Sequence, residues 1–354
     1  MPSAHVNGVR LNYVQMASPD EAAQEDLVMV HGLATNMAFW YFQYAALLSK
    51  RYRVTLYDLR GHGRSEMPAG GYTPYNLARD LQGLLDHLGI RRAHFLTHSF
   101  GGVVTLNMST FDPDRVASLV LADTHVSAAR HAGSEHAWGH GAQIQKILDA
   151  SGMALDTRDP YFGYRLLTEV AHLQLRNQKV PPALEQLVSP LIGKHGNRTA
   201  SQWLALMDDT AAGKELMGDD GLSLAALQKL RFPILAMYGD NSQARLTGKE
   251  LLRVWPHAEF RRVRDAGHFF PTSRPAEVLQ ACEMFWGGEF TKRPKHRSGE
   301  NQESHFRSDR IYQSEGAWYC LTREKTKIGP FAGQTEVREY LQSYISAMAA
   351  VPAE

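Results

Sequence analysis

Short apolar runs recur through the first third of the chain, and polar or amphipathic stretches separate them. Each run is almost continuously apolar, as is typical of strands that are buried on both faces of a parallel sheet. The strands predicted in this way span residues 26–30, 53–58, 93–97 and 118–123. Between the second and third runs, leucines recur at helical spacing from Leu77 to Leu88, and Gly89 ends the pattern. The alternation of strand and helix predicts an α/β fold with a doubly wound, mostly parallel sheet.

The strand pattern begins earlier and returns late in the chain. Residues 9–14 alternate apolar and polar side chains, which predicts an exposed edge strand. The regular alternation of strands and helices then stops near residue 125 and resumes with the apolar run 232–239. We therefore expect a core formed by residues 1–124 and 226–290, with residues 125–225 inserted as a helical cap.

The C-terminal part of the chain has a different pattern. Residues 291–307 are polar, which predicts a solvated linker. Residues 308–354 follow as a small α+β module, for which the pattern favours a β-hairpin, a third strand at 328–331 and a final amphipathic helix. An acid, a base and a nucleophile do not converge in this stretch, so we expect a docking or stabilising role for it.

The charge balance narrows the class of partner. Lys and Arg number 38 and Asp and Glu number 37, so the formal net charge of +1 gives no reason to expect nucleic acid or an anionic membrane as a partner. We expect a small molecule instead. The N-terminus lacks a basic segment followed by an apolar one, and no apolar run approaches the roughly 20 residues that span a bilayer, which predicts a cytoplasmic protein. Cys282 and Cys320 are isolated, which predicts structural roles and no metal site.

Residues 97–101, Thr-His-Ser-Phe-Gly, form a candidate nucleophile elbow. Ser99 stands between an apolar run and a glycine pair, where a strand is expected to turn sharply into a helix. In the pattern G-x-S-x-G, small flanking residues allow the serine a strained backbone and hold its hydroxyl above the sheet edge. Thr97 replaces the first glycine in this chain. The alternative interpretation is a serine that only caps the following helix.

Three further motifs occur in order around this serine. They are His31-Gly32 after a predicted strand, the glycine-containing turn 58–65, and Ala-Gly-His-Phe at 266–269. Together with Ser99, these motifs resemble the α/β-hydrolase family over residues 1–290. Members of that family that act on epoxides or halides place Asp at the elbow, so a serine favours attack by a hydroxyl.

The resemblance implies roles for four residues. Ser99 is expected to be the nucleophile and His268 the general base that activates it. The backbone N–H groups of Leu33 and Phe100 are expected to form the oxyanion hole, which stabilises the negative charge of a tetrahedral intermediate. No metal or organic cofactor is implied.

The acid of the expected catalytic triad departs from the usual pattern. In the family it commonly lies three residues after the glycine that ends the seventh strand, and Ser242 occupies that position here. Two aspartates are candidates instead. Asp123 ends the sixth strand, after which some relatives place their acid, whereas Asp240 would need a local change in its loop. Both satisfy the chain order of serine, acid and histidine, so the sequence leaves the two alternatives open.

Five residues beside these motifs are candidates for contact with the substrate: His31, Gly32, Phe39, Trp40 and His98. Gly32 is expected because the backbone itself approaches the substrate there. Phe39 and Trp40 belong to an aromatic run that is expected to be mostly helix core, with either ring able to line an acyl pocket.

These patterns predict a serine hydrolase that cleaves a carboxylic ester or an acyl thioester of a small molecule through an acyl-enzyme intermediate. One alternative is a C–C bond hydrolase that acts on a diketone-like substrate with the same framework. Another is a non-catalytic binding protein whose core lost its acid at position 242.

The C-terminal module resembles a short uncharacterised bacterial domain and, on few residues, the GYF peptide-binding modules. The residues that carry the likeness are Trp318-Tyr319, Thr322-Arg323-Glu324 and Gly329-Pro330-Phe331. The resemblance implies either docking on the chain's own cap, which we favour, or contact with a peptide.

Overall fold

The computed structural model describes residues 2–17, 24–129, 140–192 and 196–287, and in the C-terminal part residues 311–314, 317–321, 327–331, 333 and 335. The chain forms two compact units, Met1–Lys292 and Arg293–Glu354. All of the motifs singled out as candidate chemistry lie in the first unit.

An eight-stranded sheet forms the centre of the first unit. Its strands are β1 Ser3–Val6, β2 Val9–Met16, β3 Glu25–Val30, β4 Tyr52–Tyr57, β5 Ala93–His98, β6 Val116–Ala122, β7 Ile234–Gly239 and β8 Glu259–Val263. They lie in the order β1-β2-β4-β3-β5-β6-β7-β8. Only the pairs β1–β2 and β2–β4 are antiparallel, so the sheet is mostly parallel, as the sequence predicts.

The edge of the sheet differs from the sequence prediction. The alternation at residues 9–14 predicts an edge strand, but β2 pairs on both sides and the short β1 forms the edge. Asn7 and Gly8 connect β1 to β2, and both have positive φ, 47° and 72°. Four residues are too few to show a periodic pattern, and the Asn-Gly turn was the usable signal for this hairpin.

Helices cover both faces of the sheet. They are α1 Ala38–Trp40, α2 Ala46–Leu48, α3 Pro74–His87, α4 Phe100–Phe111, α5 Gly141–Ala150, α6 Phe162–Leu175, α7 Pro182–Val188, α8 Gly196–Asp209, α9 Ala212–Glu215, α10 Leu224–Leu227, α11 Arg245–Val254, α12 Phe270–Ser273 and α13 Pro275–Trp286, and a π-helical turn Tyr41–Ala45 joins α1 to α2. Thr73 caps α3, because its hydroxyl accepts a hydrogen bond from Asn76 N–H at 3.3 Å. Within the described residues, no helix has both the length and the apolar character needed to cross a membrane.

Successive side chains of each central strand enter two different cores. In β3, Val28 and Val30 pack with the apolar faces of α3 and α4, whereas Leu27 and Met29 pack on the other side with the α1–α2 segment and α13. Both faces of the strand are therefore buried, which explains the continuously apolar run in the sequence.

The stretch between β6 and β7 is helical and contains α5 to α10. Helices α6 and α8 pack together, and Trp203 Nε1 donates a hydrogen bond to Thr168 Oγ1 at 3.1 Å. Phe162, Leu166 and Trp203 belong to the same apolar core as α3 and α4, so these helices pack on the sheet domain through apolar side chains. The division into a core and a cap at residues 125 and 225 stays a prediction.

The second unit contains a three-stranded antiparallel sheet. Its strands are β9 Ile311–Ser314, β10 Ala317–Leu321 and β11 Lys327–Phe331, with β10 in the middle. The predicted hairpin and third strand correspond to these strands. The predicted linker 291–307 and the predicted C-terminal helix lie outside the described residues.

Candidate active site

Ser99 lies on a strained turn between β5 and α4. Its φ and ψ are 53° and −122°, which is unusual for a residue with a side chain. A Cβ atom on Gly101 would lie 2.5 Å from the Val30 carbonyl oxygen, so the chain after the serine can approach β3 only with glycine. Although Ser99 occupies the N-cap position of α4, its side chain makes no capping hydrogen bond, which excludes the alternative interpretation of a capping serine.

Thr97 explains how this elbow forms without the first glycine of the usual pattern. The side chain is fully buried, and its hydroxyl donates a hydrogen bond to the Val120 carbonyl oxygen of β6 at 2.9 Å. The threonine thus faces the neighbouring strand, where a small β-branched residue fits.

Ser99, His268 and Asp123 form a continuous chain of hydrogen bonds. His268 Nε2 lies 2.9 Å from Ser99 Oγ, and His268 Nδ1 lies 2.7 Å from Asp123 Oδ2. Because a carboxylate only accepts, Nδ1 carries the proton, and Nε2 of the neutral ring is free to accept the serine proton. The arrangement can deprotonate the hydroxyl and stabilise the resulting imidazolium.

Asp240, the alternative acid, is held elsewhere. Its carboxylate pairs with Arg262 Nε, and Arg245 Nη1 lies 3.8 Å away. Partial burial opposes ionisation of this carboxyl, but the hydrogen bond and charge of Arg262, with the charge of Arg245, hold the pKa of Asp240 below its usual value. Of the two aspartates that the sequence left open, the structure brings Asp123 to His268.

Ser242 contacts Asp123, a relationship that was not predicted from the sequence. The Ser242 hydroxyl donates a hydrogen bond to Asp123 Oδ2, and Gly239 N–H donates to Asp123 Oδ1 at 3.0 Å. Asp123 is completely buried and has a φ of 55°, so its backbone is strained like that of the serine. The signal in the sequence was a hydroxyl residue at the position where the family commonly has its acid.

Leu33 and Phe100 line the same cavity as Ser99 and His268. Phe100 is the first residue of α4, where N–H groups have no partner within the helix. Among the described residues, neither the Leu33 nor the Phe100 N–H donates a hydrogen bond to another backbone oxygen. Both groups are therefore available to an oxygen atom next to Ser99.

The cavity has a volume of about 390 Å³. Side chains from the helical stretch between β6 and β7 supply most of its apolar wall: Tyr161, Phe162, Tyr164, Leu166, Leu187 and Leu216. These residues were not identified from the sequence, although the aromatic cluster at 161–164 was a usable signal. His125 and Ser127, just after the acid, add polar groups to the wall.

The five residues expected to contact the substrate lie outside the lining of this cavity, and their contact with a substrate stays a prediction. None of His31, Gly32, Phe39, Trp40 and His98 belongs to the lining of this cavity. Trp40 is fully buried in the core beneath the sheet, and Phe39 stacks on the His98 ring with centroids 4.6 Å apart. They lie behind the site because the helical segment that follows β3 packs against the sheet.

His31, Gly32 and His98 support the loops that carry the site. His98 Nε2 donates a hydrogen bond to the His268 carbonyl oxygen at 3.0 Å, and His31 Nε2 accepts one from Leu59 N–H at 3.0 Å. A Cβ on Gly32 would lie 3.0 Å from Ser99 Cβ. Burial, with the nearby His268 ring, lowers the pKa of His98 well below its usual value, so this imidazole is neutral.

Comparison with known protein families agrees with this geometry. The family model described as alpha/beta hydrolase fold matches residues 27–275, which is more than half of the chain. The chain belongs to the α/β-hydrolase fold family. A second model, described as a domain of unknown function (DUF6316), matches residues 296–350. The suggested likeness of that C-terminal domain to GYF modules stays a prediction.

The similar proteins within the family have several different names. This α/β-hydrolase is 35% identical to 3-oxoadipate enol-lactonase 2 of Acinetobacter baylyi over 136 residues, 38% of this chain and 48% of that protein. It is 33% identical to bifunctional epoxide hydrolase 2 of Sus scrofa over 119 residues, 33% of this chain and 20% of that protein. The chain thus spans about half the length, or less, of the curated relatives it matches.

Solved structures support the fold assignment. The enol-lactonase from Burkholderia xenovorans LB400 matches with a TM-score of 0.56 and 24% sequence identity, covering 81% of this chain and all of that one. At this identity the similarity establishes the fold alone.

Proposed function

We propose that this α/β-hydrolase is a serine hydrolase that cleaves a carboxylic ester or acyl thioester of a small molecule through an acyl-enzyme intermediate. The observation that carries the proposal is the hydrogen-bonded chain from Ser99 through His268 to Asp123, with distances of 2.9 and 2.7 Å. Ser99 rather than Asp at the elbow supports acyl transfer over epoxide opening.

The first half of the reaction forms the acyl-enzyme. His268 Nε2 takes the proton as Ser99 Oγ attacks the carbonyl carbon, and Asp123 stabilises the imidazolium that results. The N–H groups of Leu33 and Phe100 stabilise the oxyanion of the tetrahedral intermediate. His268 then returns the proton to the leaving alkoxide or thiolate, and the acyl group remains on Ser99.

The second half of the reaction releases the acid. A water molecule attacks the ester bond on Ser99 while His268 takes its proton, and the second tetrahedral intermediate uses the same two N–H donors. Its collapse returns the proton to Ser99 Oγ and frees the carboxylic acid, so that atoms and charge balance and no cofactor takes part.

The cavity supports a neutral, apolar acyl or alcohol group as the part of the substrate that is recognised. Aromatic and leucine side chains dominate the wall contributed by the helices between β6 and β7. Burial of each additional methylene is worth about 0.8 kcal/mol, so longer chains should gain in kcat/KM until the cavity is filled. The name of the enol-lactonase relative supports including lactones among the candidate esters.

Two alternatives to an esterase or thioesterase are a non-catalytic binding protein and a C–C bond hydrolase. A non-catalytic protein was suggested by the missing acid at position 242, and the contact of Asp123 with His268 removes that reason. A C–C bond hydrolase would use the same three residues, so a vinylogous diketone belongs in the substrate panel.

Labelling with a fluorophosphonate probe tests the proposal. We expect the probe to modify Ser99 in folded protein, and Ser99→Ala to abolish both labelling and hydrolysis of p-nitrophenyl esters. Ser273→Ala, which changes an exposed serine at the end of α12, is the matched control and should retain both labelling and ester hydrolysis. Folded wild-type protein that resists the probe would rule out the serine mechanism.

A further inference from the structure

Among the described residues, three donors surround the carboxylate of Asp123: one is the last residue of β7, one belongs to the turn after it, and the third is His268. Gly239 N–H donates to Oδ1, whereas the Ser242 hydroxyl and His268 Nδ1 both donate to Oδ2. Ser242 and His268 therefore share one oxygen atom of the acid. A change in the hydrogen bond from one donor therefore alters how strongly Asp123 Oδ2 attracts the proton of the other donor.

The orientation of the Ser242 hydroxyl is fixed by its surroundings. The residue is 3% exposed, and its Oγ accepts a hydrogen bond from Ala244 N–H at 3.2 Å. Since that lone pair is occupied, the hydroxyl proton is directed to Asp123 Oδ2. Ser242 lies three residues after Gly239, so the turn that commonly supplies the acid supplies a donor to the acid in this chain.

We propose that Ser242 is a positioning residue of the active site, which holds Asp123 against His268 and limits how tightly the pair retains a proton. The proposal rests on the hydrolase function proposed above, because its readouts are the reactivity and turnover of Ser99. Hydrogen bonds to ionised groups are the strong ones in proteins, and this one is made inside the fold, away from solvent.

Removal of the hydroxyl has two expected consequences. The Asp123 carboxylate loses one hydrogen-bond donor, so it stabilises the His268 imidazolium more strongly. The Asp123–His268 pair then binds its proton more tightly. The carboxylate also loses a contact that fixes its orientation, so the general base is less well aligned in the transition state.

Other titratable groups lie in the elements around this pair. Burial, with the charge of Asp123, raises the pKa of Tyr238 well above its usual value, and burial lowers that of His98 well below it. Asp240 is paired with Arg262. His125 lines the cavity, and its Nδ1 lies 2.8 Å from Thr247 Oγ1. The pH profile is therefore also recorded for His125→Gln, so that an effect of His125 on the profile is distinguished from that of the Asp123–His268 pair.

The experiment measures the rate of fluorophosphonate labelling of Ser99 and kcat/KM for a p-nitrophenyl ester from pH 5 to 9. For Ser242→Ala we expect the acid limb of both profiles to move about 0.5–1 unit to higher pH and kcat to fall about tenfold, because a hydrogen bond to the charged carboxylate is lost. Ser242→Thr keeps a hydroxyl and should follow wild type, Ser242→Cys should lie between, and Ser273→Ala should change nothing.

A double-variant cycle separates positioning from general damage. In the Asp123→Asn background there is no carboxylate to position, so Ser242→Ala should no longer shift the pH profile of labelling. An unshifted acid limb in folded Ser242→Ala, or a shift that persists with Asp123→Asn, would overturn the role of Ser242. In either case normal labelling and turnover by wild type would leave the serine hydrolase function standing, whereas an unreactive Ser99 would remove that function itself.

Discussion

Asp123 Oδ2 and His268 Nδ1 lie 2.7 Å apart although 145 residues separate them in the chain. The register of the sheet places Asp123 next to Ser99, because the residues that precede them, His98 in β5 and Ala122 in β6, are paired. Ser99 and Asp123 therefore leave adjacent parallel strands at the same edge. The loop after β8 brings His268 to both of them, at the carboxyl edge where α/β sheets place their ligands.

The two candidate aspartates give opposite predictions. Asp123→Asn should reduce kcat by about 10⁴, by analogy with the corresponding change in serine proteases, because Asn no longer stabilises the imidazolium. Asp240→Asn should retain activity near that of wild type, since Asp240 contacts Arg262 and Arg245 and not His268. Steady-state hydrolysis of a p-nitrophenyl ester measures both. A large loss in Asp240→Asn with little change in Asp123→Asn would reverse the assignment.

Gly102 should be sensitive to a single methyl group. A Cβ at this position would overlap Thr124 Oγ1, and Thr124 follows the acid directly. Gly102→Ala should destabilise the protein by about 1–3 kcal/mol, the usual cost of overpacking a core. Urea unfolding measures the loss, and Thr124→Ala in the same chain should recover part of it.

Gly163→Ala is the control for that experiment. Apart from the backbone of α6 itself, no described residue has an atom within 4 Å of a Cβ at Gly163, so alanine should leave stability unchanged or raise it by up to about 1 kcal/mol. Equal unfolding midpoints for Gly102→Ala and Gly163→Ala would contradict the close approach of α4 to Thr124.

His98 should act through the loop that carries the base. His98→Leu removes the hydrogen bond to the His268 carbonyl oxygen, which is worth about 1 kcal/mol, so kcat should fall about fivefold. His98→Gln retains an N–H donor and should lose less. The test is kcat and KM for the same ester. A change in KM alone would indicate substrate contact, the role expected from the sequence.

Stability should decrease in mild acid because of a buried neutral histidine. Burial, with the neighbouring His31 ring, lowers the pKa of His62 to about 4. The unfolded chain therefore binds a proton at His62 below about pH 6.5 that the folded state does not bind until about pH 4. The contribution of the neutral His62 to the free energy of unfolding is complete above about pH 6.5 and is lost as pH falls toward 4. About 2 kcal/mol of it is lost between pH 7 and 5.

Urea unfolding at several pH values checks this expectation. In His62→Gln the loss between pH 7 and 5 should shrink by most of that amount. An identical pH dependence in wild type and His62→Gln would contradict a depressed proton affinity at His62.

The elements with strong local patterns were predictable from the sequence. The buried strands around Val28 and Phe95 and the helix that Thr73 caps follow from apolar periodicity and end signals, because those features depend on a few neighbouring residues. Ser99 and His268 became candidates in the same way, since the turn motifs around them need particular small residues.

The choice of acid was not predictable, because it depends on contacts between distant segments. The sequence places Asp123 and Asp240 each at a strand end, and they are separated by the contact of Asp123 with His268 and the pairing of Asp240 with Arg262. The cavity wall from Tyr161 to Leu216 was missed for the same reason. Its residues come from helices whose packing on the sheet has no local signature.

Trapping the acyl-enzyme would show whether Ser99 is the nucleophile. Wild-type protein is mixed with a slowly deacylated p-nitrophenyl ester and quenched in acid, and the peptide that contains Ser99 is analysed by mass spectrometry. We expect a burst of p-nitrophenol and an acyl group on Ser99, both absent in Ser99→Ala. Turnover by wild type without an acyl group on Ser99, or undiminished turnover by Ser99→Ala, would contradict this role of Ser99.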